Sequence, residues 1–225
     1  KDKNIRIDFY GSYINATVYV NEQKLGFNPY GYNPFSFDIT NYVFFDKENT
    51  IKVEVNHKLF SSRWYSGSGI YRDVHLRISD KLYIDLNGIN IFTPNLEKEI
   101  QDEVSIYTGT NIKNDIHEVV NFSLVYQIYK DNKLINENSH KGQIDKNSIK
   151  LINLNLRLKN ILLWSPENPN LYLIKVSLCN ENILSDTYEF EYGFKYFSMD
   201  CNKGFSLNGK NIKLKGVCMH HDQGS

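Results

Sequence analysis

The sequence predicts an all-β protein, with two β-sandwich modules in series. Hydrophobic residues recur with a period of two along nearly the whole chain, and no window of ten or more residues carries a convincing 3.6 period. Turn residues punctuate these runs at the spacing of antiparallel sandwiches, as in Lys130-Asp131-Asn132-Lys133.

The first module is written in four alternating sets: Ile5, Ile7 and Phe9; Phe35, Phe37 and Ile39; Ile51, Val53 and Val55; and Val74, Leu76 and Ile78. Each set is expected to face one core, because alternate side chains of a strand share a face. Residues 1–79 supply only about five strands, fewer than the seven or eight of a closed sandwich. An unpaired edge is therefore expected, and the chain reads as an internal piece of a longer protein. The boundary near Ser79-Asp80-Lys81 carries no Pro/Gly linker.

A second series runs through Val104, Ile106 and Thr108, then Val120, Phe122, Leu124, Tyr126 and Ile128. It returns in Ile152, Leu154, Leu156 and Leu158 and closes with Tyr172, Ile174, Val176 and Leu178. The module is placed at 80–190. Beyond it, Asn208-Gly209 signals a hairpin, since the pair supplies the two positive-φ residues of a type I′ turn. Ile212, Leu214 and Val217 then lead toward Cys218-Met219-His220-His221-Asp222 in a segment placed at 191–225.

Composition bounds the partners. Lys+Arg and Asp+Glu both number 26, so the formal net charge is +0 and no basic stripe marks a nucleic-acid or anionic-membrane surface. No apolar run approaches the roughly 18 residues of a membrane span, and KDKNIRIDF lacks a secretory-signal pattern. The localisation stays open between cytoplasm and export. Cys179, Cys201 and Cys218 are odd in number and widely spaced, matching neither a disulfide framework nor a Cys-x-x-Cys metal knuckle. They are read as reduced thiols.

Four segments, in order, carry a family resemblance. Residues 4–40 (NIRIDFYGSYINATVYVNEQKLGFNPYGYNPFSFDIT) resemble the middle of the sugar-binding jelly roll that opens glycoside hydrolase family 2 enzymes, and residues 61–78 (SSRWYSGSGIYRDVHLRI) resemble its closing loop and strand. Residues 161–178 (ILLWSPENPNLYLIKVSL) resemble a segment of the immunoglobulin-like domain that follows. Residues 190–222 (FEYGFKYFSMDCNKGFSLNGKNIKLKGVCMHHD) resemble the start of the catalytic barrel. The lengths of the Gly-Tyr-Asn-Pro-Phe and Arg-Trp-Tyr-Ser-Gly-Ser-Gly-Ile-Tyr-Arg segments are similar to the β-galactosidase branch. The architecture so implied is a partial jelly roll (galactose-binding-like), an immunoglobulin-like β-sandwich, and the first hairpin and strand of a truncated TIM barrel.

The resemblance implies a retaining β-galactosidase parent, with two carboxyl groups about 5 to 5.5 Å apart as acid/base and nucleophile. The family places both glutamates deep in the barrel, so no catalytic residue is assigned in this chain. Glu167, Glu189 and Glu191 read as solvated strand or loop residues. His220 matches the family histidine that contacts the sugar in the cleavage subsite, and Asp222 matches a position that holds a sugar hydroxyl in some members. Both would sit at the C-terminal end of a first barrel strand over 213–217, where such barrels place their chemistry. Cys218 and Met219 depart from many members, which carry Asn and Arg there, and this changes the local pocket chemistry. A metal reading of His220-His221-Asp222 is disfavoured because adjacent strand residues point to opposite faces. No metal site or cofactor is expected in the chain, and the parent is expected to use Mg or Na.

The loop at 62–69 has two readings. Arg63 and Trp64 could contact sugar, since aromatic faces stack on apolar sugar faces. Alternatively Trp64 and Tyr71 cap the sandwich while Arg72 and Asp73 pair locally. Tyr30, Tyr32 and Phe35 are likewise either a binding platform or packing for the Pro29-Gly31-Pro34 turn, and Trp164 is read as a plug for the end of the immunoglobulin-like core. The expected partner is a β-galactoside bound by the parent barrel, with a homo-oligomer of the parent, no nucleic acid and no membrane span. A carbohydrate-binding or adhesion module of tandem sandwiches is the alternative from another class. A β-glucuronidase or β-mannosidase parent is the alternative within the family. Residues 190–222 discriminate, because a binding module has no use for an extra hairpin feeding a lone strand.

Overall fold

A computed structural model describes residues 3–57 and 67–217. They form two compact units, one of the described residues up to Ser79 with Gly216 and Val217, the other Asp80–Lys215.

The first unit contains β1 (Lys3–Phe9), β2 (Ser12–Tyr13), β3 (Ala16–Val20), β4 (Gln23–Asn28), β5 (Phe35–Asp38), β6 (Ile51–Val55), β7 (Gly69–Ile70) and β8 (Val74–Asp80). They pair as β5-β1-β8, β4-β3-β6 and β2-β7. Ile5, Ile7, Phe9 and Ile39 meet Val18 and Val20 in one core, with Phe35, Phe37 and Val53 packed against it, so the two three-stranded sheets form a sandwich. The unit's eight described strands, two of them only two residues long, exceed the about five expected from alternation, because short pairings leave no hydrophobic period. Phe9 and Phe35 stack at 4.9 Å between centroids. The fourth alternating set behaves differently from expectation: Val74, Leu76 and Ile78 are exposed, Leu76 by 58% and Ile78 by 61%. The alternation is there, but β8 is an edge strand, and no described element of its unit covers that face.

The second unit contains β9 (Leu82–Phe92), a single helical turn α1 (Leu96–Glu99), β10 (Glu103–Asn114), β11 (Val120–Lys130), β12 (Lys133–Ile144), β13 (Ser148–Lys159), β14 (Tyr172–Asn180) and β15 (Ile183–Tyr192). Its sheets are β13-β10-β9 and β12-β11-β14-β15, the two-sheet arrangement of an immunoglobulin-like sandwich. Every apolar residue of the second alternating series is buried in one core, joined by Leu82, Ile84, Leu96, Ile112 and Ile144. Inside it, Thr110 Oγ1 and the Tyr126 hydroxyl bond at 2.5 Å, and Thr108 Oγ1 donates to the Leu154 carbonyl at 3.1 Å. The Asp131-Asn132 turn has both central residues at positive φ, +50° and +62°.

β12 carries little apolar alternation, and it is ordered by full pairing with β11 from Val120↔Ile144 to Lys130↔Lys133. Side chains then join the two sheets where ladder bonds cannot. Asn136 and Asn138 amides donate to the Arg157 and Asn155 carbonyls of β13 at 2.7 Å each. On the other side, Asp186 accepts the Ile84 N–H at 2.9 Å and Ser185 donates to the Leu82 carbonyl at 2.7 Å.

After the sandwich, β16 (Phe197–Asp200), β17 (Gly204–Leu207) and β18 (Lys210–Asn211) form a sheet of their own. The hairpin turns at Asn208 and Gly209, both at positive φ as the Asn-Gly pair predicts. Residues 212–217 run on without strand pairing, and Val217 is 89% exposed. A parallel barrel strand draws its bonds from neighbouring strands; here the Ile212 N–H donates to the Phe205 carbonyl of β17 at 2.9 Å, and no strand ladder among the described residues continues beyond it.

Candidate functional site

Of the residues singled out for sugar contact, His220, Asp222, Arg63 and Trp64 lie outside the described residues. The elements that lead to them are described.

Two residues hold the hairpin that precedes residue 217. The Asn208 side chain donates from Nδ2 to the Trp164 carbonyl at 2.9 Å and accepts the Tyr196 N–H on Oδ1 at 3.2 Å, while the Asn208 N–H donates to the Tyr196 carbonyl at 2.9 Å. Trp164 is in turn fixed by its own N–H, which donates to the Phe194 carbonyl at 2.8 Å. The indole rests on Gly193, where an added Cβ would come within 2.8 Å of Trp164 Cβ, and Lys195 Nζ lies 5.2 Å from the ring centre. Trp164 is therefore a seat for the hairpin rather than the core plug that the sequence suggests. That task falls to Phe194, fully buried between the Tyr172 and Tyr192 rings at 5.0 Å from each.

The carboxylates near this junction are engaged elsewhere. Glu189 pairs with Lys175 at 2.8 Å across β15 and β14, an interaction that raises the pKa of the lysine. Glu167 is solvent-exposed, and its own backbone N–H and the Ser165 hydroxyl hold its carboxyl below the usual range. Glu191 lies on β15 across from Leu173. Among the described residues no group of three or more His, Cys, Asp or Glu side chains converges in a way that could hold a metal ion.

In the first unit, Tyr13, Tyr30, Tyr32 and His57 form a cluster of rings. Tyr13 is buried and meets His57 edge-on at 5.4 Å and Tyr32 at 5.3 Å; Tyr32 meets Tyr30 at 5.6 Å. His57 Nδ1 bonds Ser68 Oγ at 2.9 Å. The Tyr71 hydroxyl donates to the Gly31 carbonyl at 2.9 Å, and its ring covers Gly11. Arg72 lies over the Tyr71 ring, and Asp73 stands 4.0 Å from His75, so the expected Arg72–Asp73 pair is replaced by these contacts. The Tyr30, Tyr32, Phe35 trio divides: Phe35 packs on the core, whereas Tyr30 and Tyr32 are 59% and 45% exposed. His57 and the side-chain role of Asn208 escaped the sequence reading. Their partners lie 11 and 44 residues away, and no local pattern encodes such distances.

Comparison with known proteins gives two family models. One described as the sugar binding domain of glycosyl hydrolases family 2 matches residues 1–79, and one described as glycosyl hydrolases family 2 matches residues 89–195. The chain belongs to glycosyl hydrolase family 2. A β-galactosidase of Bacteroides ovatus is 34% identical over 99% of the chain, which covers 26% of that relative. A putative β-glucuronidase of Formosa agariphila is 37% identical over 99% of the chain and is covered over 20% of its length. Among solved structures, a family 2 member from Bacteroides cellulosilyticus superposes with a TM-score of 0.89 at 32% identity, covering 98% of this chain and 28% of that one. A Bacteroides uniformis β-glucuronidase gives 0.86 at 30% identity, with coverages of 99% and 28%. The chain thus spans about a quarter of the length of the family 2 relatives it matches. The first match takes in the Tyr30–Tyr32 turn and residues 58–66; the second ends at Lys195, just before the hairpin.

Proposed function

We propose that this chain is a non-catalytic portion of a longer retaining family 2 glycosidase that hydrolyses terminal β-galactosides. It comprises part of the sugar-binding domain (1–79), the immunoglobulin-like domain (80–190) and the start of the catalytic barrel (191–225). The observation that carries this is the order of the two family matches, followed by a hairpin that joins neither sandwich sheet. A tandem-sandwich adhesion module has no role for such a separate sheet.

In this reading the sandwiches buttress the barrel, and the Asn208–Trp164 seat fixes where the chain leaves the second unit toward His220 and Asp222. Those two residues bind sugar hydroxyls, with bonds that strengthen toward the transition state. Arg63 and Trp64 approach the substrate from the jelly roll. The parent takes Mg or Na and forms a homo-oligomer. No helix among the described residues is long and apolar enough to cross a membrane.

The purified chain is expected to show no turnover of an aryl β-galactoside above buffer, and catalysis mapping to this chain overturns the reading. The coding sequence past Ser225 is expected to continue into a barrel with two glutamates; a stop codon there overturns it too. A β-glucuronide-cleaving parent is a second reading, favoured by the β-glucuronidases among the relatives. Assaying the full-length product on aryl β-galactoside and aryl β-glucuronide side by side decides between them.

A further inference from the structure

We propose that Asn87 is a self-modification site: its side-chain amide cyclises onto the Gly88 backbone nitrogen, and water opens the ring to an aspartyl or isoaspartyl residue. The chain carries the same dipeptide again at Asn208-Gly209, and the fold directs the reaction to the first pair and protects the second. The inference holds whatever sugar the parent cleaves.

The step balances with water as the only co-reactant. The Gly88 nitrogen gives up its proton and attacks Cγ of Asn87. A C–N bond forms, the Cγ–Nδ2 bond breaks, and ammonia leaves with that proton, giving a five-membered succinimide. Water then adds to either ring carbonyl. Attack at the side-chain carbonyl leaves aspartate, and attack at the main-chain carbonyl leaves isoaspartate, whose backbone is longer by a carbon atom. Glycine suits the second position because it has no side chain to crowd the attacking nitrogen.

Local structure separates the two pairs. Both asparagines have left-handed φ, +53° at Asn87 and +52° at Asn208, so the difference lies in the side chains. The Asn208 amide is tied at both ends, by Nδ2 to the Trp164 carbonyl and by Oδ1 to the Tyr196 N–H, and Cγ cannot swing onto the Gly209 nitrogen until both bonds break. Asn87 is exposed, and its amide makes no hydrogen bond among the described residues. It also lies in a bulge. The β9–β10 register passes from Thr110↔Ile89 to Ile112↔Ile84, which leaves Asp85 to Gly88 outside the paired positions.

The modification bears on the sandwich. Gly88 is buried, and a Cβ there would lie 2.7 Å from the Asp85 carbonyl oxygen and 3.0 Å from that of Asn111. A backbone so closely packed has no space for the additional carbon of isoaspartate. Conversion at Asn87 should therefore loosen β9, whose Ile84 is buried in the core and is held through its N–H by Asp186 at 2.9 Å.

The test is incubation of the 225-residue chain in mildly alkaline buffer, native and in urea, followed by tryptic mapping with fragment-ion sequencing. Peptides 82–98 and 204–210 carry one Asn-Gly pair each. In the native chain Asn87 is expected to convert at least about tenfold faster than Asn208, because two hydrogen bonds protect the latter. In urea the two rates are expected to agree within about threefold, since local opening no longer differs. Asn87→Gly, which suits the positive φ, is expected to abolish the acidic species seen by ion exchange. Native conversion of Asn208 as fast as that of Asn87, an Asn87 that converts only in urea, or acidic species that persist in Asn87→Gly each overturn the proposal.

Discussion

The Asn208 amide donates to the Trp164 carbonyl across 44 residues of chain, and the same side chain accepts the Tyr196 N–H. One residue thus sets a turn and anchors that turn to the sandwich. Asn208→Gly keeps the positive φ of +52° without strain but loses both side-chain bonds, and is expected to cost roughly 1–2 kcal/mol. Asn208→Ala loses the bonds and strains the turn, and is expected to cost more. Urea unfolding of the three proteins checks the order; equal stability of the glycine variant and the parent would show that the amide contributes nothing.

Gly193→Ala tests the seat itself. A Cβ at 193 would lie 2.8 Å from both Trp164 Cβ and Cγ, atoms too close to the backbone to swing away. Overpacking of that kind is expected to cost roughly 1–3 kcal/mol. The chain has two tryptophans, so Trp64→Phe leaves Trp164 as the only emitter. In that background Gly193→Ala should shift the Trp164 emission maximum along with the unfolding midpoint.

Alkaline pH should destabilise the second unit. Tyr83, Tyr126, Tyr172 and Tyr192 all have their pKa values raised from 10.0, chiefly because burial penalises the phenolate. For a raised pKa, the stabilisation is fully present below the unfolded value and is lost as pH rises through the folded one. Stability should therefore hold up to about pH 10 and fall above it. Tyr126→Phe should flatten that fall, while costing about 1 kcal/mol at neutral pH through the lost bond to Thr110. Circular dichroism melts across the alkaline range give both quantities.

The asparagine bridges between β12 and β13 predict a graded loss. Asn136→Val with Asn138→Val removes both donors to the β13 carbonyls and is expected to cost roughly 1–2 kcal/mol in all. Amide exchange should rise selectively in β12 and β13, because local opening follows local bonding. Uniform acceleration through the sandwich would contradict a role confined to that edge.

The sequence by itself determined the all-β class, the strands of the second core and the Asn-Gly hairpin, because these follow from local period and turn chemistry. Val120 to Ile128 and Ile152 to Leu158 alternate so regularly that only one face of each strand can be buried. Family 2 membership was also legible, carried by motifs that survive in linear order. Tertiary structure alone decided the rest. Leu76 and Ile78 alternate as well as Ile5 and Ile7 do, yet they face outward, since burial depends on what lies across the sheet and not on the strand's own pattern. β12 reads as polar and is nonetheless a full strand, because its neighbour supplies the ladder. Trp164 became a seat and Phe194 the plug through contacts made across the fold. The exposed Tyr30–Tyr32 pair parted from Phe35 for the same reason: a side chain's partners are set by three-dimensional proximity, which local sequence does not encode.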